Sequence, residues 1–440
     1  MILTSTTVGK DGLAAFAQQI SLERAAEGVV RCYTGSGDMS MRPAPFTYRT
    51  GVPVAYFAFD RKYGEVEFVD VPVVQETTTL RFLSPVPVKP TAVGMALLRV
   101  SSEPFDALPK LDCVAKLVDD NATWHDQAIQ LAAPLYRDYR LELRVPRLAA
   151  ACEAVLAERT RSHATSHKGA IGMGLLDESA TDALGEANVY EAIRQLTTPR
   201  SDAVARKLQT LFGKDQPLTE EQKEFADQFV GRGEQVYRSA SRLGHGSEQA
   251  ALTALERLVG VSWAERGLET ACTSCGLKRF APFSADLARS SGLCPVCGMT
   301  ADYTKTEQAL TVHYRLDGRV DHANDQGVVV HLMVIGALEQ RYAQTWLVPG
   351  VDLVFRNGVN REVDVLGLCD AMLVSAEVKM SGDRFTNDQV EKDIDTATRL
   401  GTQLHVMAAT TPIPHHAKDL ATTPLPGQWA ILPRFPPRYG

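Results

Sequence analysis

Long apolar runs are missing from this 440-residue chain. None reaches the roughly 20 residues that a membrane-spanning helix needs, so no membrane partner is expected. The opening stretch, Met1 to Gly12, has neither the basic start nor the apolar core of a secretion signal, and a cytoplasmic location is expected. Positive charge is in deficit: 46 Lys and Arg against 53 Asp and Glu leave a net charge of −7. Any surface that meets nucleic acid must therefore be a local patch rather than the whole protein. Cysteine is sparse, and four of the eight residues (Cys32, Cys113, Cys152 and Cys369) lie scattered, which excludes a disulfide framework. Walker, helicase and methyltransferase motifs are absent, so translocation or base modification would have to come from another protein. The Gly35-Ser36-Gly37-Asp38 patch is too short for a phosphate loop and carries no lysine; it reads as a surface turn.

What is present is an ordinary globular composition, 45% hydrophobic and 22% charged, with ample core for two to four domains at about 150 residues each. Residues 1–145 are rich in strand signals and form the first expected domain, β-rich and of unassigned role. Segments 52–59 and 65–74 flank Asp60-Arg61-Lys62-Tyr63-Gly64 and read as a hairpin. Residues 146–264 read as helical, with helices expected over 148–161, 190–196, 202–212 and 248–259. Another is opened by the capping box Thr219-Glu220-Glu221-Gln222, with Phe225, Phe229, Val236 and Tyr237 on its apolar face. The polar, Gly-bearing stretch 160–174 reads as a flexible linker. Its Arg159, Arg161, His163, His167 and Lys168 could touch phosphate, but a solvated loop is the plainer reading. Arg137, Arg140, Arg144 and Arg147 form a second basic cluster, interleaved with Tyr136 and Tyr139 but broken by Asp138 and Glu142, and read as a salt-bridged surface. The last thirty residues, 411–440, hold seven prolines and read as an extended tail.

Residues 265–303 carry a sharper signal. Cys272-Thr-Ser-Cys275 and Cys294-Pro-Val-Cys297 are two C-x-x-C pairs separated by eighteen residues, each followed by a glycine where a tight knuckle needs positive φ. Four thiolates at these spacings suit tetrahedral zinc in a ribbon, with iron–sulfur ligation as the chemical competitor. A closed four-cysteine site leaves no open coordination position, so the expected zinc is structural.

Residues 304–410 carry the chemistry. Strands are expected at 351–356, 362–368, 372–379 and 403–409, with helices over 324–344 and 387–400. On strands, alternate residues share a face. Glu362 and Asp364 are expected to point one way with Val363 and Val365 the other, and Glu377 and Lys379 share a face while Ala376 and Val378 pack behind. In a hairpin turning at Cys369 and Asp370, Asp364, Glu377 and Lys379 converge on one sheet edge. Two carboxylates beside an ammonium are costly there unless a divalent cation or a substrate uses them. Read singly, each is a surface residue with an ion pair; read together they suggest a site.

Asp364, twelve residues, then Glu377-Val378-Lys379 resembles the signature of the PD-(D/E)XK nucleases, in its RecB-like and Mrr-like forms. The element order resembles that family's αβββαβ restriction-endonuclease-like core. No proline precedes Asp364, as is true of many members. The resemblance covers the last third of the chain. It implies a magnesium- or manganese-dependent nuclease in which Asp364, Glu377 and the backbone carbonyl of Val378 hold the metal, Lys379 orients water, and Glu339 supplies the family's helical acid. Gln389 and Lys392 fall near positions where relatives turn a Gln or basic residue to the site, but Asp393 stands where a Tyr is usual. Asp352 offers an alternative alignment, Glu362 a backing role, and His322 and His331 are left out. The family mostly cuts DNA, which makes DNA the expected substrate and phage defence or DNA repair, with their protein partners, the expected setting. The competing reading is a degenerate nuclease domain that serves, with the zinc ribbon, as a binding scaffold. The whole is expected to be a multidomain α+β protein: β-rich domain, helical middle, zinc ribbon, α/β nuclease-like domain and tail.

Overall fold

The structure, a computed structural model, describes residues 103–125, 128–134, 142–186, 188–198, 235–243, 247–283, 291–294, 296–304 and 310–421, with the backbone of further strands before residue 101 and at 428–432. The early strands are β1 (Ile2–Ser5), β2 (Arg31–Thr34), β3 (Met41–Thr47), β4 (Pro53–Phe59), β5 (Val66–Asp70), β6 (Thr77–Phe82) and β7 (Met95–Val100). They are followed by helix α1 (Asp112–Val118), β8 (Thr123–His125), β9 (Ala128–Pro134) and β10 (Glu142–Pro146). β1 and β2 pair in parallel; the rest form sheets in the orders β3-β4-β7-β9-β8 and β10-β6-β5. The expected hairpin of β4 with β5 does not form. β4 is paired on both sides, with β3 and β7, and so has no edge left for β5, which pairs with β6.

Helix α2 (Leu148–Arg159) leads directly into β11 (Thr160–Thr165), α3 (His167–Met173), α4 (Glu178–Leu184) and α5 (Val189–Leu196). The expected linker over 160–174 is therefore a strand and a helix, with Ser166 capping α3 by accepting from Gly169 N–H at 3.1 Å. The helices expected over 202–212 and from Thr219 lie outside the described residues, as do the Gly35 patch and the Arg137–Arg140 cluster. Tyr237 sits on a strand, β12 (Tyr237–Arg238), instead of a helix. After α6 (Glu248–Gly260) come β13 (Ala264–Cys272), β14 (Lys278–Pro282), β15 (Ser291–Leu293), β16 (Thr300–Tyr303) and β17 (Val312–Leu316). These form the ribbon sheet, ordered β12-β17-β13-β16-β15 with β14 on β13.

The rest of the chain is α7 (Gly318–Asp325), α8 (Val329–Arg341), β18 (Thr345–Phe355), β19 (Asn360–Cys369), β20 (Met372–Lys379), α9 (Asn387–Leu400), β21 (Leu404–Ala409), α10 (His415–Ala421) and β22 (Gln428–Leu432). The order from α8 to β21 is αβββαβ. The single helix expected over 324–344 is broken at Gly327, whose φ of 76° ends α7. The expected Pro-rich tail is partly regular: α10 packs through Ala417 and Ala421 against Val390 of α9 and Met407 of β21, and β22 pairs parallel to β21. Proline is tolerated there because it sits outside both elements.

These elements make one six-stranded sheet, β11-β18-β19-β20-β21-β22, with β11 supplied from far upstream. One face buries Val365, Val374, Ala376 and Val406 against α8 and the helices of residues 175–264. The other buries Leu366, Leu368 and Leu373 against Val155 and Leu156 of α2 and Val118 of α1. Both sides of the sheet thus draw on residues before 265, and the core crosses the expected boundaries at 145 and 303. Among the described residues no helix is long and apolar enough to cross a membrane.

Candidate active site and metal centre

The hairpin of β19 and β20 turns at Asp370 and Ala371, both at positive φ (44° and 69°), as a two-residue turn with the strands' own twist requires. From there the ladder runs only to Val365 opposite Ala376. β19 continues on β18, and β20 continues on β21 as far as Lys379 opposite Ala409. The two strands therefore fork, and Asp364, Glu377, Val378 and Lys379 lie at the opening. The Val378 N–H, which has lost its β19 carbonyl partner, donates to Asp364 Oδ2 at 2.8 Å. The side chain thus replaces a ladder bond at a place where an unpaired buried amide would be costly.

At the same level the pleat slips. Trp346 and Val348 on β18 pack on the α2 side, yet so do Val351, Leu353 and Phe355. On β19, Leu366 and Leu368 share that side with Val363, whereas Val365 packs against α8. The expected common face of Val363 and Val365 is wrong for this reason. The slip coincides with Gly350 (φ 58°), which lies between the Pro349–Val365 and Val351–Val363 pairs and hence opposite Asp364. On β20 the expected alternation holds, with Ala376 and Val378 in the core.

Asp364 and Glu377 are 5% and 9% exposed, low enough that their charges need partners. Lys379 Nζ donates to Glu377 Oε1. Gln389 Nε2, from α9, donates to the same oxygen at 3.2 Å and to Asp393 Oδ1 at 2.7 Å. His331 Nε2, from α8, lies 3.4 Å from Asp364 Oδ1. Burial, and then the charge of Asp364, push the Glu377 carboxyl up to about 7, against the pull of Lys379. Burial and the charge of Glu377 push Asp393 up to about 8, against its bond from Gln389. Burial opposes the Lys379 ammonium, but the Glu377 carboxylate outweighs it and the pKa is raised. Burial lowers the His331 pKa despite Asp364 nearby, which leaves a neutral imidazole at pH 7. The site is a pocket of excess, mutually repelling carboxylate.

The structure brings together Asp364, Glu377, Val378 and Lys379, and it does not bring Glu339. That side chain is exposed, beside Thr181, Asp182 and Glu178 of α4 and within reach of Cys369 at the closed end of the hairpin. His331 lies eight residues earlier on the same helix, which at 1.5 Å per residue is about 12 Å nearer the fork. His331, set aside on sequence, is the α8 side chain that lies beside Asp364. The available signal was a titratable residue inside a helix otherwise buried from Val329 to Gly336. Gln389 does face the site, Lys392 is exposed, and Asp352 lies on the surface across from Glu362. Glu362 pairs at 3.8 Å with Lys168, half-exposed at the rim.

The second centre is the ribbon. Sγ of Cys272 lies 3.4 Å from that of Cys297, and Sγ of Cys275 lies 3.6 Å from that of Cys294; all four fall within 4.8 Å of one another. A tetrahedron with zinc–sulfur bonds of about 2.3 Å has edges close to these values. An iron–sulfur cluster would spread the sulfurs, since the four cysteines would be divided among two or four irons. The knuckles are near copies. Cys272 N–H donates to Leu277 O (2.9 Å) and Gly276 N–H to Cys272 O (2.9 Å). The matching bonds are Cys294 N–H to Met299 O (2.7 Å) and Gly298 N–H to Cys294 O (2.8 Å). Gly276 and Gly298 have φ of 69° and 70°, as the spacing predicts.

No protein-family model matches the chain, and no curated protein matches it in sequence. Among solved structures the chain is similar to protein VC1899 from Vibrio cholerae, at 13% identity and a TM-score of 0.31 over 76% of this chain and 65% of that one. It is also similar to Can2 from Sulfobacillus thermosulfidooxidans, solved in complex with cyclic tetra-adenylate, at 11% identity and a TM-score of 0.25 over 76% and 64%. The chain spans just under two thirds of the length of each. Likenesses this loose carry no argument about activity, and the site stands on its own geometry.

Proposed function

We propose that the fork is the active site of a divalent-metal-dependent nuclease of the PD-(D/E)XK type, acting on DNA in defence or repair. The observation that supports this best is the strand fork itself: two buried carboxylates and an ammonium gathered where the β19–β20 ladder ends, with a backbone amide fixing Asp364. The donor set fits a hard cation. Asp364, Glu377 and the Val378 carbonyl offer only oxygen, and the raised Glu377 pKa is the excess negative charge that a cation would relieve. Among the described residues only the four cysteines form a closed cluster of three or more ligand side chains. An open carboxylate pair suits magnesium or manganese, which keep waters and share substrate phosphate oxygens.

A cation held there would supply an acidified water and neutralise charge on the scissile phosphate. The chain's own groups do the rest. The Val378 N–H anchors one oxygen of Asp364, and neutral His331 lies beside the other, so the carboxylate keeps one orientation. Gln389 and Lys379 fix Glu377 Oε1 between them. Lys379, alternating with Val378 and Glu377 at the opening, orients the attacking water and stabilises charge on the phosphate. The ribbon zinc is structural.

Incubation with linear, circular and single-stranded DNA in Mg²⁺ or Mn²⁺ tests the reading. Wild-type protein should cleave at least one substrate, and Asp364→Ala, Glu377→Ala and Lys379→Ala should each lose about 10²-fold or more in rate while melting cooperatively. A fully active Lys379→Ala protein would refute the assignment. Binding without cleavage by the wild type would favour the scaffold reading.

A further inference from the structure

The six-stranded sheet has a first strand that the αβββαβ core does not require. β11 and α3 come from residues 160–173, and their junction is welded to the sheet at the level of the fork. Ser166 N–H donates to Gly350 O at 3.0 Å. The two backbones touch so closely that a Cβ on Gly169 would lie 2.1 Å from Gly350 O, and a Cβ on Gly350 would lie 2.4 Å from Gly169 N. Gly350 sits opposite Asp364. The backbone on both sides of the residue before Gly169 is therefore fixed to the sheet at the level of Asp364. That residue is Lys168.

Its ammonium lies 3.8 Å from Glu362 Oε2, with both side chains 38% exposed. Glu362 is two residues from Asp364 on β19, and the Lys168 charge is felt at both His331 and Glu377. A half-exposed pair at that distance is weak. Exchanging Glu362 for a phosphate oxygen would cost little and would set a cation on the strand as it enters. Lys379 is engaged with Glu377. Lys168 thus has the position, exposure and weak prior commitment of a phosphate contact. In a chain of net charge −7, such contacts have to be placed individually.

We infer that Lys168 grips a backbone phosphate next to the scissile one, with Glu362 holding the ammonium in place until substrate arrives. The inference rests on the nuclease reading for the identity of the substrate as a phosphodiester strand. The upstream β11–α3 segment then completes the substrate site of a domain that otherwise begins more than a hundred residues later.

The test measures binding of a fluorescent DNA oligonucleotide in Ca²⁺ and cleavage in Mg²⁺, using the full chain. Lys168→Gln should weaken binding about 3- to 10-fold and reduce the slope of log Kd against log salt by about 1, with KM raised and kcat within about twofold. Lys168→Arg should restore both, and Glu362→Gln should bind at least as tightly as wild type. A Lys168→Gln protein with the wild-type salt slope and KM overturns the inference even if the wild type cuts. Failure of the wild type to cut overturns the nuclease reading instead, and the salt slope of any remaining binding still decides the role of Lys168. If the wild type neither cuts nor binds, both fall.

Discussion

Asp393 is the residue whose environment is hardest to reconcile with a purely structural role. It is 5% exposed, and its Oδ2 has no hydrogen-bond partner among the described residues. Burial and Glu377 raise its pKa from 3.8 to about 8, and Glu377 rises from 4.5 to about 7. Both folded-state values lie above the unfolded ones, so the folded protein holds extra protons between about pH 4 and pH 8. Stability from these groups is present below that window and is lost as pH climbs through it. Cation-free protein should therefore melt at lower temperature at pH 8.5 than at pH 5. Asp393→Asn keeps the acceptor for Gln389 and removes the charge; it should flatten that decline, with a gain on the order of 1–3 kcal/mol at pH 8.5. Thermal melts in chelator at the two pH values read this directly. An unchanged decline would mean that Asp393 titrates as an ordinary carboxylate. Mn²⁺ should raise the melting temperature more at pH 8.5 than at pH 6, because the carboxylates it uses are then deprotonated.

Among the elements, the junction of β11, α3 and β18 leaves no room for a side chain at Gly169 or Gly350. A methyl group at Gly350 would meet Gly169 N at 2.4 Å and Ser166 Oγ at 2.6 Å, on a residue with φ of 58°. Gly350→Ala should cost about 2–4 kcal/mol, from the left-handed backbone and from overpacking together. Gly358 has φ of 83° but open space around its Cβ position, so Gly358→Ala pays only the backbone part, about 1–2 kcal/mol. Urea unfolding of the two variants side by side separates the terms, and equal losses would show that the contact is not tight. Because Gly350 faces Asp364, its variant should also lose cleavage at urea-free stability, whereas the Gly358 variant should not.

At the scale of the whole molecule, the fork and the ribbon have different sources of stability. The sheet is buried on both faces by large clusters, whereas among the described residues the cluster around the ribbon's knuckles is small: Cys272, Cys294 and Ala301, with Leu277 against them. So small a core cannot hold a fold by itself, and a metal bound by the four cysteines would supply the folding energy. The near end of the same sheet is anchored in the main core through Trp263, Ala264, Tyr314 and Leu316. Zinc removal with a chelator, or Cys275→Ser, should abolish hydrogen-exchange protection over 270–303 while leaving it intact at 264–267, 312–316 and in β18–β21. Loss of protection across the whole chain would show that the ribbon supports the sheet.

What the sequence determined by itself was local. Spacing was enough for the cysteine knuckles, because a C-x-x-C-G turn closes within its own residues. Period-two alternation was enough for β20, and propensity for α9, whose bounds match those read from the chain. Asp364, Glu377 and Lys379 were legible because their chemistry clashes with the strands that carry them. Only the tertiary structure decided the partners: that β4 shuns β5, that residues 160–165 and 428–432 are strands of the central sheet, and that the pleat slips at Gly350 and Asp364. The same holds for His331 rather than Glu339 beside Asp364, for Lys168 at the rim, and for the raised pKa of Asp393. Each depends on which distant groups are packed against it and on how much water they exclude, and neither quantity is encoded in neighbouring residues.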